Sequence, residues 1–185
     1  MEIPNWFDWT SNNFRDVLMP LAGQELNCLQ IGAYSGDASR WLLDNVLTNP
    51  KSILHDVDPW IVSWGDDFDV DFKNVESIYD NKVLSFNNVV KYKMTSDEFF
   101  AQNTEKFDFI YIDGDHHRDP VARDAENALK ASKVGTIIAF DDYLWDVMPE
   151  PENKPYDAIN EFLKNHSDRL SLIINGYQLW VKVIK

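Results

Sequence analysis

Short apolar runs alternate along the chain with stretches in which apolar residues recur every three or four positions. The apolar runs are typical of buried parallel strands, and they cover residues 26–31, 52–57, 88–94, 107–112 and 134–140. The stretches between them have the spacing of amphipathic helices. This alternation predicts parallel βα units, with helices on both faces of one sheet.

A predicted helix precedes the first strand. Ser11 is expected to cap this helix, apolar residues follow at helical spacing, and the helix is expected to end near Gly23. With 185 residues, the chain is long enough for one domain with a sizeable core. We therefore interpret residues 1–185 as a single domain with an N-terminal helical segment over residues 1–24.

The last two apolar runs differ from the others because they lie side by side in sequence. They cover residues 170–174 and 177–184 and flank Asn175-Gly176. This dipeptide favours a two-residue type I′ hairpin, which forces antiparallel pairing. The predicted fold is therefore α/β: a Rossmann-like, doubly wound, seven-stranded sheet with the last strand antiparallel.

Two internal helices carry recognisable start signals. Asp71 precedes one of them. Thr95 and Ser96 precede another, where Glu98 completes a capping box with Thr95. A cluster of prolines before the last helix predicts a stiff loop: Pro149, Pro151 and Pro155.

The charge of the chain limits its partners. Seventeen Lys and Arg residues against 31 Asp and Glu residues give a formal net charge of −14. Such a surface repels phosphate backbones and anionic lipid, so we expect neither nucleic acid nor a membrane as partner. Part of the acid is clustered at Asp66, Asp67, Asp69 and Asp71. This segment lacks the Gly and Glu of a calcium loop, so we interpret it as a solvated acidic loop.

Cysteine usage and the N-terminus bear on the compartment. Cys28 is the single cysteine and lies in an apolar run, so no intrachain disulfide forms and a buried, inert thiol is expected. The N-terminus lacks the basic and apolar regions of a signal peptide, and no run reaches the ~18 apolar residues of a membrane helix. The cytoplasm is the expected location. The sequence does not determine the oligomeric state, and a homo-oligomer is one alternative.

The glycine-rich segment after the first strand is the first candidate binding element, because ligands of open α/β sheets bind beyond the carboxyl ends of the strands. It reads Gly32-Ala33-Tyr34-Ser35-Gly36. Its glycines let the backbone approach a ligand, and the following helix offers free N–H groups to an anion such as a carboxylate. The spacing differs from the GxGxxG of dinucleotide folds. The alternative is a turn that is merely tight.

Acidic residues follow three further strands. Asp58 ends the second strand, where it could accept hydrogen bonds from both hydroxyls of a ribose. Asp113 and Asp115 follow the fourth strand, and Asp141-Asp142 follow the fifth strand. Carboxylates gathered at neighbouring strand ends repel one another unless a cation or a proton compensates them. Oxygen ligands suit Mg²⁺ or another hard divalent cation. The alternative is that Asp115 caps a helix and the other pair is solvated in a loop.

Two histidines follow the fourth strand. Histidine is the natural acid or base near neutral pH, so we keep His116 as a catalytic candidate. Adjacent histidines on a loop are more often surface residues, and we assign no role to His117.

Together these residues resemble the class I S-adenosylmethionine-dependent methyltransferases. The closest group is a small subfamily with the motifs "IDG.H" and "FDDYLW", and the metal-dependent O-methyltransferases of the sugar and catechol types are similar at the same positions. The resemblance covers nearly the whole chain. It rests on the stretches Asp8–Asn13, Leu29–Leu43, Asp56–Trp60, Phe107–His116 and Phe140–Trp145.

The resemblance implies S-adenosylmethionine as the cofactor and a small molecule such as a sugar as the methyl acceptor. The glycine-rich loop would contact the methionine moiety, the acid after the second strand would hold the ribose, and the start of the capped helix would border the adenine. The implied cofactor residues are Gly32, Ala33, Tyr34, Ser35, Gly36, Asp58, Ser96, Asp97 and Asp113.

The resemblance also implies a metal site and a base. Asp113, Asp141 and Asp142 match the metal ligands of the sugar-type enzymes. In those enzymes an acid two residues after the first ligand, here Asp115, is a candidate base, and His116 is the second catalytic candidate.

The chain departs from the family pattern at several positions. Gln30 replaces the acid that precedes the first glycine, and Ala38 stands where a serine is frequent, with Ser39 one step later. Position 115 is often Ser in the closest group. These departures keep a non-catalytic binding domain open as an alternative. A nicotinamide-dependent oxidoreductase of the Rossmann type is the other alternative, since it shares the sheet and Asp58.

Overall fold

A seven-stranded sheet forms the centre of the computed structural model, which describes residues 3–61, 71–145 and 154–185. The strands are β1 Asn27–Ile31, β2 Ile53–Val57, β3 Val89–Tyr92, β4 Phe107–Ile112, β5 Ser132–Phe140, β6 Leu170–Asn175 and β7 Leu179–Val183. Their order is β3-β2-β1-β4-β5-β7-β6. The first five strands pair in parallel, and β7 is antiparallel to both β5 and β6. The predicted topology is confirmed.

Helices cover both faces of this sheet. They are α1 Ser11–Leu18, α2 Asp37–Asn45, α3 Phe72–Val83, α4 Ser96–Gln102, α5 Arg118–Lys130 and α6 Pro155–Asn165. The first three helices pack on one face and the last three on the other. On β1, for example, Cys28 faces the core between the sheet and the first three helices, and Leu29 faces the core between the sheet and the last three. Because successive strand residues point to opposite faces and both faces are buried, these strands are continuous apolar runs in sequence.

The predicted start signals of two helices are confirmed. The Asp71 side chain accepts hydrogen bonds from the backbone N–H groups of Lys73 and Asn74 at the start of α3. Thr95 and Glu98 form the capping box of α4. Cys28 is buried as expected, and burial raises the pKa of its thiol.

The start and end of α1 differ from the prediction. Thr10, and not Ser11, occupies the N-cap position. A 3₁₀ turn over Trp6–Trp9 leads directly into α1, so the chain enters the helix without the extended residue that a capping serine needs. The α-helix ends at Leu18 and continues only as a 3₁₀ turn, because Pro20 has no N–H group to extend it.

The turn between β6 and β7 also differs from the predicted type I′ hairpin. The connection has three residues, Gly176–Gln178, which we call the hairpin loop, and Asn175 pairs with Leu179 across it. A type I′ turn needs two positive φ angles, whereas neither Asn175 nor Gly176 has one. The loop is longer because the Gln178 side chain turns inward and is fully buried. Antiparallel pairing itself was predicted correctly.

Parts of two predicted loops lie outside the described residues. These are the acids Asp66, Asp67 and Asp69 and the prolines Pro149 and Pro151, so the solvated acidic loop and the stiff loop stay predictions. Pro155 is the first residue of α6. In the part of the chain that the structure describes, no helix combines the length and the apolar character that crossing a membrane requires.

Candidate active site

Four of the predicted site residues extend the parallel sheet by one position beyond its strands. Each of the four donates its backbone N–H to a carbonyl of the neighbouring strand, at 2.8–3.1 Å. The pairs are Asp58 to Tyr92, Gly32 to Val57, Asp113 to Ile31 and Asp141 to Ile112. The sheet therefore brings the glycine-rich loop and the acids of β2, β4 and β5 to one edge, as the sequence predicted.

The glycine-rich loop runs in close contact with the end of β4. Gly32 has φ +83°, and a Cβ at this position would lie 1.8 Å from the carbonyl oxygen of Asp113. Gly36 caps α2 with φ +80°, and a Cβ there would lie 2.9 Å from the Tyr79 ring. Both positions therefore require glycine, and the loop that they shape leads into the N-terminus of α2, where backbone N–H groups can bind an anion.

Asp58 ties this loop to the end of β2. Its carboxylate accepts hydrogen bonds from the backbone N–H groups of Tyr34, at 2.9 Å, and Trp60, at 2.6 Å. Burial raises the pKa of Asp58, and these donors partly offset that effect. Each carboxylate oxygen can accept a second hydrogen bond, so the acid can both hold the loop and receive ribose hydroxyls.

Strained backbone is concentrated at this edge of the sheet. Among the described residues, the non-glycine positions with positive φ are Tyr34, Trp60 and Asp142, with angles of 44°, 47° and 51°. Such conformations persist only where the surrounding structure enforces them, and they cluster at functional sites.

Two tryptophans that the sequence did not assign contact the glycine-rich loop. Trp6 stacks on Tyr34 with ring centroids 4.9 Å apart. The Trp60 indole donates to the Tyr34 carbonyl at 2.9 Å. The N-terminal 3₁₀ turn is therefore part of the wall of this site. The stretch Asp8–Asn13 of the family resemblance, which overlaps this turn, was the available signal for it.

A buried polar cluster lies beneath the glycine-rich loop. Gln30 donates to the Gly32 carbonyl at 3.0 Å and accepts from Ser39 at 3.3 Å. Asp56, which is opposite Gln30 in the β1–β2 register, accepts from the Tyr79 hydroxyl at 2.9 Å. Burial raises the pKa of Asp56 to about 7. The acid that the family carries on β1 is thus replaced here by Gln30, and the buried acid of this chain lies on the adjacent strand.

The predicted adenine residues lie at the start of α4. Ser96 is the first residue of that helix, and Asp97 pairs with Arg123 at 3.1 Å. Behind them, Asp124 is 2% exposed, and burial raises its pKa to about 7, partly offset by the Ser96 hydroxyl. Asp124 is a buried acid that the sequence analysis did not single out.

An acidic cluster lies at the ends of β4 and β5. The Tyr111 hydroxyl contacts carboxylate oxygens of Asp113, at 3.0 Å, and Asp141. The Asp142 backbone N–H donates to the second oxygen of Asp141 at 3.0 Å. Burial and the neighbouring Asp141 charge raise the pKa of Asp113 to about 8. Carboxylates held this closely favour a proton or a cation between them.

Asp142 faces a different set of partners. Its Oδ2 lies 3.1 Å from His116 Nε2, which is also 3.8 Å from Asp113 Oδ1. Its Oδ1 accepts from the Tyr177 hydroxyl at 2.5 Å. Trp145 packs against the edge of the His116 ring, with centroids 4.9 Å apart.

One group of potential ligands emerges from this cluster. Atoms of Asp113, His116 and Asp142 lie within 4.8 Å of one another, which suits a single cation. The predicted ligand Asp141 is outside this group, and both of its oxygens accept hydrogen bonds. His116, predicted only as a catalytic residue, is the additional ligand candidate.

The predicted base Asp115 is placed differently. Its Oδ1 accepts from the backbone N–H of His117 at 2.9 Å and lies 2.5 Å from the Nδ1 of the same residue. Asp115 thus orders the residues that precede α5, but it does not cap the helix, whose N-cap position is His117 without a side-chain cap. His116 and Asp142 form a second acid–base pair, within the acidic cluster.

An open groove of about 370 Å³ lies elsewhere, and residues that precede or begin the strands line it, including Glu25, Lys51 and Ile53. It is therefore at the edge of the sheet opposite the acidic cluster. Ligands of open α/β sheets bind at the carboxyl edge, so we place the candidate active site there.

Comparison with known proteins identifies the family. A family described as "Methyltransferase domain" matches residues 29–143, which contain the glycine-rich loop, Asp58 and the acidic cluster. The chain therefore belongs to this family of methyltransferase domains, as its motifs indicated. No curated protein matches the chain.

Solved structures with this fold include O-methyltransferases and a ribosomal protein methylase. An O-methyltransferase from Bacillus cereus, solved with S-adenosylhomocysteine, is 18% identical with a TM-score of 0.66 and covers 100% of this chain and 83% of its own. TomG from Streptomyces achromogenes, an O-methyltransferase solved with S-adenosylmethionine, is 14% identical with a TM-score of 0.64, and the match covers 100% of this chain and 92% of TomG. A ribosomal protein L11 methylase from Lactobacillus delbrueckii is 11% identical with a TM-score of 0.61, and the match covers 99% of this chain and 81% of the methylase. At these identities the likeness shows the fold alone.

Proposed function

We propose that this methyltransferase domain transfers a methyl group from S-adenosylmethionine to a hydroxyl oxygen of a small molecule such as a sugar, assisted by a divalent cation. The observation that carries the proposal is that the glycine-rich loop and the candidate cation group lie next to each other at one edge of the sheet. The loop at Gly32 contacts the backbone of Asp113, a residue of the candidate cation group. The two partners of a transfer reaction would therefore meet side by side.

The residues of the cofactor half fit S-adenosylmethionine. The absence of a side chain at Gly32 lets the glycine-rich loop pack directly against the backbone of Asp113. The start of α2 offers N–H groups to the cofactor carboxylate, and Asp58 retains lone pairs for the ribose hydroxyls. Ser96 and Asp97 would border the adenine. Bound there, the cofactor supplies the electrophilic methyl group, and the protein supplies binding and orientation.

The residues of the acidic half fit a hard divalent cation. Asp113, His116 and Asp142 present two carboxylates and an imidazole within 4.8 Å. The two carboxylates suit Mg²⁺ or Mn²⁺ and the imidazole favours Mn²⁺ of the two, with waters or an acceptor hydroxyl in the remaining positions. A cation bound there would lower the pKa of an acceptor hydroxyl. Asp141 would then support the site through Tyr111 and the Asp142 backbone.

Charge and residue types restrict the acceptor. With a net charge of −14 and several carboxylates at the site, the protein disfavours anionic acceptors. Trp145 and Tyr177 flank Asp142 and His116 and offer aromatic surface beside polar groups. This combination suits a neutral polyhydroxylated molecule with apolar C–H faces.

A second candidate mechanism needs no cation. His116 Nε2 lies 3.1 Å from Asp142 Oδ2, the geometry of a histidine base oriented by a carboxylate. In this case His116 would take the acceptor proton, and Asp142 would stabilise the imidazolium. His116 is therefore a candidate cation ligand in the first mechanism and the candidate base in the second.

Two experiments test the proposal. Thermal unfolding should shift upward with S-adenosylmethionine or S-adenosylhomocysteine and stay unchanged with NAD⁺, since a ligand at 100 times its Kd adds about 2.7 kcal/mol. Stabilisation by NAD⁺ alone would overturn the cofactor and favour an oxidoreductase. Transfer of a labelled methyl group to a panel of sugars and polyols should then be lost in EDTA and restored by Mg²⁺ or Mn²⁺. Full methyl transfer in the presence of EDTA would overturn the cation-assisted mechanism and favour the mechanism in which His116 acts as the base.

A further inference from the structure

The two consecutive aspartates at the end of β5 are held by consecutive residues of the hairpin loop. The Asp142 backbone has φ +51°, so its side chain diverges from that of Asp141. The Tyr177 hydroxyl donates to Asp142 Oδ1 at 2.5 Å. The Leu144 backbone also contacts the Tyr177 carbonyl, at 3.4 Å. The hairpin loop therefore packs along the segment that carries both acids.

The orientation of the Gln178 side chain is determined by its surroundings. Its Oε1 accepts from the Trp180 indole at 3.0 Å and from Asn13 Nδ2 at 2.8 Å. An indole N–H can only donate, so the atom facing it must be the amide oxygen. The amide nitrogen must then point to the opposite side.

The side-chain amide of Gln178 interacts with the carboxyl of Asp141. Gln178 is fully buried, and its Nε2 makes no hydrogen bond of standard geometry within the described part of the chain. A buried, unsatisfied donor is costly, so its position needs a reason. Orientation of the neighbouring Asp141 carboxyl supplies one.

We propose that Tyr177 and Gln178 are positioning residues, which hold Asp142 and Asp141 in the geometry that the candidate cation group requires. The inference deepens the proposed function and rests on it. Tyr177 fixes one oxygen of Asp142 and leaves Oδ2 directed at His116. Gln178 orients Asp141, which in turn holds Tyr111 and the Asp142 backbone N–H.

The test uses Mn²⁺ alone as the probe and measures free ion by electron paramagnetic resonance. Tyr177→Phe and Gln178→Met should each weaken Mn²⁺ binding about tenfold or more, the usual cost of removing a partner of a ligand. Affinity for S-adenosylhomocysteine, measured in parallel, should stay within about twofold, because its predicted contacts lie on other strand ends.

Matched controls separate positioning from folding. Tyr156→Phe removes a hydroxyl of similar exposure, 44% against 46% for Tyr177, from a ring that stacks on Tyr143. Asn13→Ala removes one donor to Gln178 but leaves the Trp180 contact that fixes the amide. Both controls should bind Mn²⁺ like the wild-type protein, although Asn13→Ala should lower the melting temperature. Unchanged Mn²⁺ affinity in Tyr177→Phe and Gln178→Met would overturn the inference.

A second measurement does not depend on the cation. The side-chain amide resonance of Gln178, identified by its loss in Gln178→Met, should shift in Asp141→Asn and stay in place in Asp8→Asn, an exposed control. If wild-type protein binds no Mn²⁺, the cation part of the proposed function fails, and this resonance alone decides whether Gln178 orients Asp141. No shift would refute that role. If Gln178→Met does not fold, Tyr177→Phe still tests the loop.

Discussion

Replacing Asp56 by Asn should change how the stability of the protein depends on pH. Asp56 is fully buried on β2, and among the described residues its Oδ1 has no hydrogen-bond partner of standard geometry. Burial raises its pKa from 3.8 to about 7, with the Tyr79 and Ser39 hydroxyls acting in the opposite direction. Asn has nearly the same shape, keeps an acceptor for Tyr79 and cannot ionise.

The sign follows from the direction of the shift. A carboxyl whose pKa is higher in the folded state contributes stability that is present below its unfolded-state pKa and lost as pH rises through its folded-state pKa. Between pH 5 and 7 the unfolded chain ionises Asp56 while the folded protein does not. At about 1.4 kcal/mol per pH unit, the wild-type protein should lose about 2 to 3 kcal/mol relative to Asp56→Asn over pH 5 to 8.

The assay is urea unfolding of both proteins at several pH values, followed by the difference in their free energies of unfolding. Any pH-independent effect of the amide cancels in the trend of this difference, as do the contributions of the other buried acids. Asp8→Asn is the matched control on an exposed aspartate. A difference between wild type and Asp56→Asn that stays constant within about 0.5 kcal/mol would refute the reasoning.

Three further predictions concern the site itself. Gly32→Ala combines a positive φ with a clash against the Asp113 carbonyl, so it should lower the free energy of unfolding in urea by at least about 3 kcal/mol. An unfolding midpoint equal to that of the wild-type protein would contradict the loop geometry. Asp58→Ala should weaken S-adenosylhomocysteine binding by about 1.5–3 kcal/mol in calorimetry, and unchanged affinity would remove Asp58 from the site. His116→Gln should lose most Mn²⁺ affinity but keep cofactor affinity, and normal Mn²⁺ binding would remove His116 from the ligand group.

The fold was predictable because its signals are local. A glycine directly follows the first parallel strand, and an aspartate directly follows the second, the fourth and the fifth. The right-handed βα connection then determines the edge at which those residues meet. The capping box at Thr95 and Glu98 is likewise a short-range signal. The hairpin turn type was not predictable, because the Asn-Gly preference is outweighed by burial of Gln178 against Asn13, 165 positions earlier in the chain.

The composition of the acidic cluster could be predicted only in part. The sequence indicates which carboxylates meet, but it cannot show which oxygen already has a donor. Tyr111 lies within an apolar strand and looks like a core residue, yet its hydroxyl contacts Asp113 and Asp141. Tyr177 belongs to a hairpin 35 positions from Asp142. These contacts favour His116 over Asp141 as the third member of the candidate cation group.

The residues of the site are positioned in two different ways. Asp58, Gly32, Asp113 and Asp141 each extend the parallel ladder by one hydrogen bond, so the backbone of the sheet sets their positions at the inter-strand spacing of about 4.8 Å. His116 comes from the loop that follows and depends on side-chain contacts. A substitution at a ladder position should therefore disturb the sheet as well as the chemistry, whereas His116 and Tyr177 can vary at constant fold.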